Sequence, residues 1–214
     1  MLTKNKYQYL KKREYKPLEE TYIRNITRQI LFGLSFLKEY KIIHGDLKPE
    51  NIMFTDTDLY NIKIVDVGSS FMYETPSIYQ TYVQTRWYRS PEVILGYPID
   101  YKIDLWSFAC ILFELADGKP IFTGKNVYCQ IYRFYHYIGE PDQKFLNMCK
   151  CKDKYFKDTF LSTKTIKNSH SKDPITFNTI DSNILIIIRK IFKWEPYKRP
   201  DVNKLLNLEW FNQY

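Results

Sequence analysis

The feature that most constrains this chain is residues 44–51, HGDLKPEN, in which an aspartate, a lysine and an asparagine stand two and three residues apart. Phosphoryl transfer needs such groups: a carboxylate to orient and deprotonate a hydroxyl, a lysine for the moving phosphate, and an amide oxygen for magnesium. Asp46, Lys48 and Asn51 can fill these roles in that order. A short motif can arise by chance, so this interpretation depends on whether the rest of the chain agrees with it.

Two short apolar runs that follow the motif predict a β-hairpin. Residues 51–54 and 62–65 flank the polar, turn-prone stretch 55–61. Because the two arms have similar lengths, the chain returns to its starting point, and we expect Asp66 to lie beside Asn51. Amide and carboxylate oxygens are the hard donors that magnesium prefers. The hairpin therefore predicts a magnesium site formed by these two residues.

Further motifs follow in a fixed order and carry a family resemblance. They are DVG at 66–68, TRWYRSPE at 85–92, DLWS at 104–107 and a late arginine at position 199. In this order, and together with HGDLKPEN, they resemble the C-terminal lobe (C-lobe) of a eukaryotic protein kinase. The DLKPEN form resembles serine/threonine kinases. Within the CMGC group, residues 65–70 and 82–96 resemble the dual-specificity tyrosine-regulated kinases, with the homeodomain-interacting kinases as close relatives.

The resemblance implies a fold and a domain organisation. We expect a mainly α fold, with a helical lobe, small β-hairpins at the catalytic edge, and no N-terminal lobe (N-lobe). Residues 1–20 form a basic leading segment, and residues 21–214 form the C-lobe. Within the C-lobe we expect a catalytic loop at 44–51, an activation segment at 66–92, and a basic insertion at about 149–173 that forms a surface loop.

Hydrophobic periodicity adds a prediction of helices. The expected helices cover residues 19–40, 103–115, 125–137, 184–192 and 202–210. The first is amphipathic and leads into the catalytic loop, whereas the second is almost continuously apolar and reads as a buried central helix.

The resemblance also assigns regulatory residues. Tyr82 aligns with the tyrosine that those kinases phosphorylate on themselves, and Tyr79 is a weaker second candidate. Phosphotyrosine needs cationic partners, and Arg86 and Arg89 are the ones that the resemblance supplies. Gly45 stands where many kinases carry an arginine that clamps a phosphorylated activation segment, so we expect this chain not to use that clamp.

Five further residues are expected to be structural. Glu92 and Arg199 resemble the buried ion pair that ties the activation segment to the lobe. Asp104 resembles the aspartate that accepts hydrogen bonds from the catalytic-loop backbone. We interpret His44 and Val67 as packing residues beneath that loop.

The function that the resemblance implies is a serine/threonine kinase of the dual-specificity, tyrosine-autophosphorylating type. It would transfer the γ-phosphate of ATP to protein hydroxyls, with ATP and Mg²⁺ as cofactors held by Lys48, Asn51 and Asp66. Thr85 would hydrogen-bond Asp46 and close the substrate floor. Because no glycine-rich loop or strand lysine precedes residue 21, we expect the isolated chain to be weakly active or inactive. The alternative is a pseudokinase-like binding or scaffold lobe without catalysis. Its partners would be docking proteins or a missing N-lobe.

Composition bears on three other possibilities: nucleic-acid binding, a metal or disulfide site, and membrane association. A net charge of +8 and a pI near 9.1 could indicate a nucleic-acid partner, but the lysines are spread along the chain and no nucleic-acid motif is present. Cys149 and Cys151 have no second pair at zinc-ligand spacing, so we expect reduced thiols in an intracellular protein, cytoplasmic or nuclear. Without a long apolar run or a signal peptide, we expect no membrane partner.

Overall fold

The computed structural model describes residues 16–55, 60–73, 83–169 and 180–212. Helices dominate these residues, which confirms the predicted mainly α fold. The α-helices are α1 (Glu20–Glu39), α2 (Pro91–Leu95), α3 (Lys102–Asp117), α4 (Val127–Ile138), α5 (Gln143–Asn147), α6 (Thr163–Ser169), α7 (Ser182–Ile191), α8 (Val202–Leu206) and α9 (Glu209–Asn212). The strands are β1 (Ile42–Ile43), β2 (Ile52–Phe54), β3 (Ile62–Ile64), β4 (Phe71–Met72), β5 (Phe156–Lys157) and β6 (Phe160–Leu161).

Helix α3 is the centre of the lobe. Every side chain from Ile103 to Ala116 is buried, as expected for a helix that is apolar on all sides. Helices α1 and α7 both pack against it. Trp106 lies in the middle of this core, with its ring 5.5 Å from that of Phe122 and 4.7 Å from that of Phe192. The helix ends at Gly118, whose left-handed φ of 87° suits glycine.

Helix α1 is amphipathic, as the periodicity predicts. Ile26 and Ile30 on one face are completely buried, whereas Phe32 and Phe36 on another face are about half exposed. The helix delivers the chain to β1 and the catalytic loop. None of the helices in the described part of the chain combines the length and apolar character needed to cross a bilayer.

Short antiparallel strand pairs surround the catalytic loop. The predicted hairpin is present as β2 and β3, with Ile52 opposite Ile64 and Phe54 opposite Ile62. Strand β1 pairs with β4, so the residue before the loop lies opposite the strand that follows the DVG motif. Both ends of the expected catalytic edge are therefore held by main-chain hydrogen bonds.

Two predictions about the C-terminal half are wrong. The segment 149–169 lies at the surface but is not an irregular loop: it forms a 3₁₀ turn, the β5–β6 hairpin and α6, which packs on α4. Its lysines suggested a solvated loop, but Tyr155 and Phe156 between them are buried and hold the segment on the lobe. Residues 170–173 lie outside the described residues. The single helix predicted at 202–210 is two short helices, α8 and α9, with a break at Asn207 and Leu208.

Candidate active site

Three side chains form a hydrogen-bonded triangle at the catalytic loop. Asp46 Oδ1 accepts hydrogen bonds from the Thr85 backbone N–H and hydroxyl, both at 2.7 Å. Asp46 Oδ2 lies 2.5 Å from Lys48 Nζ, which also donates to Thr85 Oγ1 at 3.2 Å. The structure thus brings together the loop carboxylate, the loop lysine and the threonine of the activation segment, although the threonine is 39 residues away in sequence.

The backbone of the loop is held from below by a buried aspartate. Asp104 accepts hydrogen bonds from the N–H groups of His44, at 2.8 Å, and Gly45, at 3.0 Å. Burial raises the pKa of Asp104, while these two backbone hydrogen bonds oppose the rise. The buried ring of His44 lies between the Asp46 N–H, 3.2 Å from Nδ1, and the Val65 carbonyl, 3.1 Å from Nε2. A protonated Nε2 and an unprotonated Nδ1 satisfy both contacts.

The hairpin places Asn51 next to the residue that precedes Asp66. Val65 donates its N–H to the Asn51 carbonyl at 2.9 Å, and the Asn51 Nδ2 group donates to the Asp46 carbonyl at 2.9 Å. This contact fixes the amide so that its Oδ1 stays available. Asp66 is exposed, and its backbone has the left-handed conformation, with φ of 65°. No described residue donates a hydrogen bond to its carboxylate. Two hard oxygen donors are thus available at this edge, which fits the chemistry of Mg²⁺.

Gly45 occupies a position that a larger residue could hardly fill. Its φ is +75°, and a Cβ atom built there would lie 2.8 Å from the Ser69 carbonyl oxygen and 3.1 Å from the Phe71 ring. Its own carbonyl accepts the Gln84 N–H at 2.7 Å. The arginine that many kinases carry at this position would need a different backbone here.

Gln84 is a site residue that the sequence interpretation missed. It is buried, with a left-handed φ of 66°. Its Nε2 donates to the Ile103 carbonyl and to Ser107 Oγ, both at 2.8 Å, and its Oε1 accepts the Ser90 N–H at 3.0 Å. These contacts fix the turn immediately before Thr85. In the sequence, Gln84 is only one of several polar residues in a segment rich in serine, threonine and tyrosine.

The structure describes two of the four predicted regulatory residues, Arg86 and Arg89. Tyr82 and Tyr79 lie outside the described residues, so their pairing with arginines stays a prediction. Arg89 donates from Nε to the Val83 carbonyl at 3.0 Å and from its terminal nitrogen to the Gln84 carbonyl at 2.7 Å. The guanidinium group therefore lies at the main chain that directly follows Tyr82 in sequence.

Arg86 points in another direction. Its guanidinium donates to the Lys125 carbonyl at 2.8 Å, and its own carbonyl accepts from Gln130 Nε2 at 2.5 Å. Both partners belong to α4 or to the turn before it, so these bonds connect the activation segment to α4.

Glu92 and Arg199 form a fully buried, two-pronged ion pair. The two guanidinium nitrogens each lie 2.6 Å from one carboxylate oxygen, and both side chains are 0% exposed. The guanidinium also donates to the carbonyls of Lys193 and Lys102 and lies 5.1 Å from the Trp106 ring centre. The pair joins the end of the activation segment to the C-terminal part of the lobe.

An open cleft of about 620 Å³ adjoins Thr85 and contains two acidic side chains that the sequence interpretation did not select. Tyr88 donates its hydroxyl hydrogen to Glu114 Oε2 at 2.7 Å. Burial raises the pKa of Glu114 to about 7, and the charge of Glu50 contributes in the same direction. One carboxylate oxygen of Glu50 is itself buried and has no hydrogen-bond partner among the residues that the structure describes.

The interpretation of Val67 as a packing residue beneath the loop is wrong. Its side chain is 64% exposed, because the 3₁₀ turn Val67–Ser69 directs it away from the lobe. It lies at the rim of an opening of about 360 Å³ whose lining also includes His44 and Leu37.

Comparisons with known proteins agree with this geometry. The family model described as "Protein kinase domain" matches residues 1–211. The dual specificity tyrosine-phosphorylation-regulated kinase 4 of Homo sapiens is 36% identical over 98% of this chain and 41% of its own length. The dual specificity protein kinase YAK1 of Saccharomyces cerevisiae is 44% identical over 73% of this chain and 19% of its own.

A third relative extends the same pattern. The homeodomain-interacting protein kinase 4 of Mus musculus is 37% identical over 73% of this chain and 26% of its own length. The chain thus spans about two fifths or less of the curated relatives named here. The predicted resemblance to the dual-specificity tyrosine-regulated kinases, with the homeodomain-interacting kinases next, is confirmed.

Proposed function

The chain belongs to the protein kinase domain family, and on that premise we propose that it transfers the γ-phosphate of ATP to serine or threonine hydroxyls of proteins. The observation that carries this proposal is the Asp46 carboxylate, which Thr85 and Lys48 hold in one orientation. An oriented carboxylate beside a lysine is what phosphoryl transfer to a hydroxyl requires.

Asp46 is the group that would receive the substrate proton. Thr85 occupies one carboxylate oxygen with two hydrogen bonds, and Lys48 contacts the other. The carboxylate therefore cannot rotate freely, and its remaining lone pairs are available to a substrate hydroxyl. Lys48 supplies a positive charge that would stabilise the transferred phosphoryl group.

Asn51 and Asp66 are the residues that would hold Mg²⁺. When bound with ATP, the ion would neutralise charge on the phosphate oxygens. The support is chemical: an amide oxygen and a carboxylate, both unoccupied by other described side chains, at one end of the hairpin.

The proposal also covers the dual specificity of the enzyme and its location in the cell. We propose a dual-specificity kinase, because two of its relatives are named dual specificity kinases. Self-phosphorylation on Tyr82 is part of this proposal and follows from the resemblance of residues 82–96 described above. We also propose an intracellular location, since Cys110, Cys129, Cys149 and Cys151 are all free thiols.

The test is phosphate transfer by the purified 214-residue chain with radiolabelled ATP, Mg²⁺ and myelin basic protein as acceptor. Because turnover is expected to be very slow, the assay needs long incubation. We expect slow incorporation, lost in Asp46→Asn and retained in Asp158→Asn, a surface control. Phosphoamino-acid analysis would identify the acceptor hydroxyls.

The alternative, a binding lobe without catalysis, predicts a different result. It predicts no incorporation by the wild-type chain, or incorporation that is the same in Asp46→Asn and therefore due to a contaminant. Either result would contradict transfer by this polypeptide.

A further inference from the structure

A cationic groove lies on the face formed by α7, the turn after it and α8. Its volume is about 670 Å³. Besides the buried Arg199, five basic side chains line it: Arg189, Lys190, Lys193, Lys198 and Lys204. None of them belongs to the candidate active site, which is formed by the catalytic loop and the activation segment.

Most of this charge is not neutralised within the described part of the chain. Lys198 forms an ion pair with Glu195 at 2.9 Å and lies 4.0 Å from Asp142. The other four basic side chains have no ion pair with a described residue. Arg199 also borders the groove, but Glu92 neutralises its charge in the interior.

Helix stability explains only part of this cluster. Arg189 and Lys190 lie in the last turn of α7, where the helix dipole favours cations. Lys193 and Lys198 belong to the connection between α7 and α8, and no such effect places them there. Their convergence on one groove creates a local positive potential that an anionic partner would relieve.

The groove also presents two large apolar side chains to solvent. Ile186 is 51% exposed and Tyr197 is 55% exposed, and both line the groove among the cations. A mixed lining of this kind is complementary to a chain that carries both carboxylates and an apolar side chain.

We propose that this groove docks an acidic protein segment rich in aspartate and glutamate, with an aliphatic or aromatic residue seated on Ile186 and Tyr197. Protein fits this lining better than nucleic acid does. Binding of a nucleic-acid strand uses several aromatic platforms, one for each stacked base, whereas the described lining of this groove includes one exposed aromatic side chain, Tyr197. Four of its five cations are lysines, which bind as point charges and do not form the two-pronged contacts that arginines make with phosphate.

The experiment measures binding of the full chain to a short fluorescein-labelled peptide of alternating glutamate and leucine, by fluorescence anisotropy. The groove variant combines Lys190→Glu with Lys193→Glu. A matched control combines Lys157→Glu with Lys167→Glu, two exposed lysines outside the groove, so both proteins change net charge equally. We expect the groove variant to weaken binding by about tenfold and the control to change it little.

A second variant tests the apolar part of the groove. Ile186→Ser keeps every charge and should weaken binding by about threefold. Circular dichroism shows whether each variant is folded, and this variant keeps the proposal testable if the charge reversal unfolds the chain.

Three outcomes would overturn the proposal. They are no binding by the wild-type chain, equal losses in the groove and control variants, and tighter binding of a single-stranded oligonucleotide that the groove variant abolishes. The last would assign the groove to nucleic acid.

Discussion

Replacing Glu114 with glutamine should change how the stability of this protein depends on pH. The Glu114 carboxyl is buried beside the candidate site and accepts the Tyr88 hydroxyl at 2.7 Å. Burial raises its pKa from the ordinary 4.5 to about 7; the hydrogen bond from Tyr88 opposes this rise, and the charge of Glu50 reinforces it. A glutamine side chain keeps an oxygen that can accept the same hydrogen bond, but its amide does not ionise between about pH 5 and about pH 8.

The magnitude follows from the two pKa values. Between the unfolded value near 4.5 and the folded value near 7, the folded protein binds more protons at this site than the unfolded chain does. Stability from this group is therefore fully present below pH 4.5 and is lost as the pH rises through 7. At about 1.4 kcal/mol for each pH unit between 4.5 and about 7, the full loss is about 3.5 kcal/mol.

Urea unfolding at several pH values from about 5 to about 8 measures this effect. The wild-type free energy of unfolding should fall relative to that of Glu114→Gln as the pH rises, by most of this amount. Glu39→Gln, at an exposed position, serves as the control and should run parallel to wild type. Parallel curves for wild type and Glu114→Gln would refute the reasoning, because they would mean that the buried carboxyl does not titrate in this range.

Three further changes, and one control substitution, test the geometry of the site. Arg199→Ala leaves the Glu92 carboxylate buried without its partner, so the free energy of unfolding should fall by roughly 3–5 kcal/mol; an unchanged urea midpoint would contradict this. Gly45→Ala combines a positive φ with a contact to main chain and should cost about 2 kcal/mol or more. In contrast, Gly33→Ala meets only a flexible isoleucine side chain and should leave the melting temperature nearly unchanged. Thr85→Val removes a hydroxyl that orients the catalytic carboxylate, so phosphate transfer should fall about tenfold or more with little change in melting temperature.

Local pattern was enough to predict the hairpin and the central helix. The hairpin follows from two short apolar arms around a polar stretch, and the helix from an apolar run that ends at Gly118. Each depends on residues that are neighbours in sequence. The hairpin and helix between residues 152 and 169 were not predicted. The frequent lysines indicated a solvated loop, although Tyr155 and Phe156 between them are buried.

Contacts between distant parts of the chain account for the other omissions. The Gln84 side chain reaches Ile103 and Ser107, which lie 19 and 23 residues later. The hydrogen bond between Tyr88 and Glu114 spans 26 residues. A single sequence without a family pattern for these positions gives no sign that such side chains meet.

Gly45 and Gln84 together explain how the end of the activation segment is held in this chain. The backbone at Gly45 excludes the arginine clamp, since any side chain there would meet the Ser69 carbonyl. In place of a charged clamp, the Gly45 carbonyl accepts the Gln84 N–H, and the Gln84 side chain binds the buried Ser107. These bonds are neutral and need no phosphate. Together with the Arg89 guanidinium, which donates to the Gln84 carbonyl at 2.7 Å, they hold Thr85 against the Asp46 carboxylate.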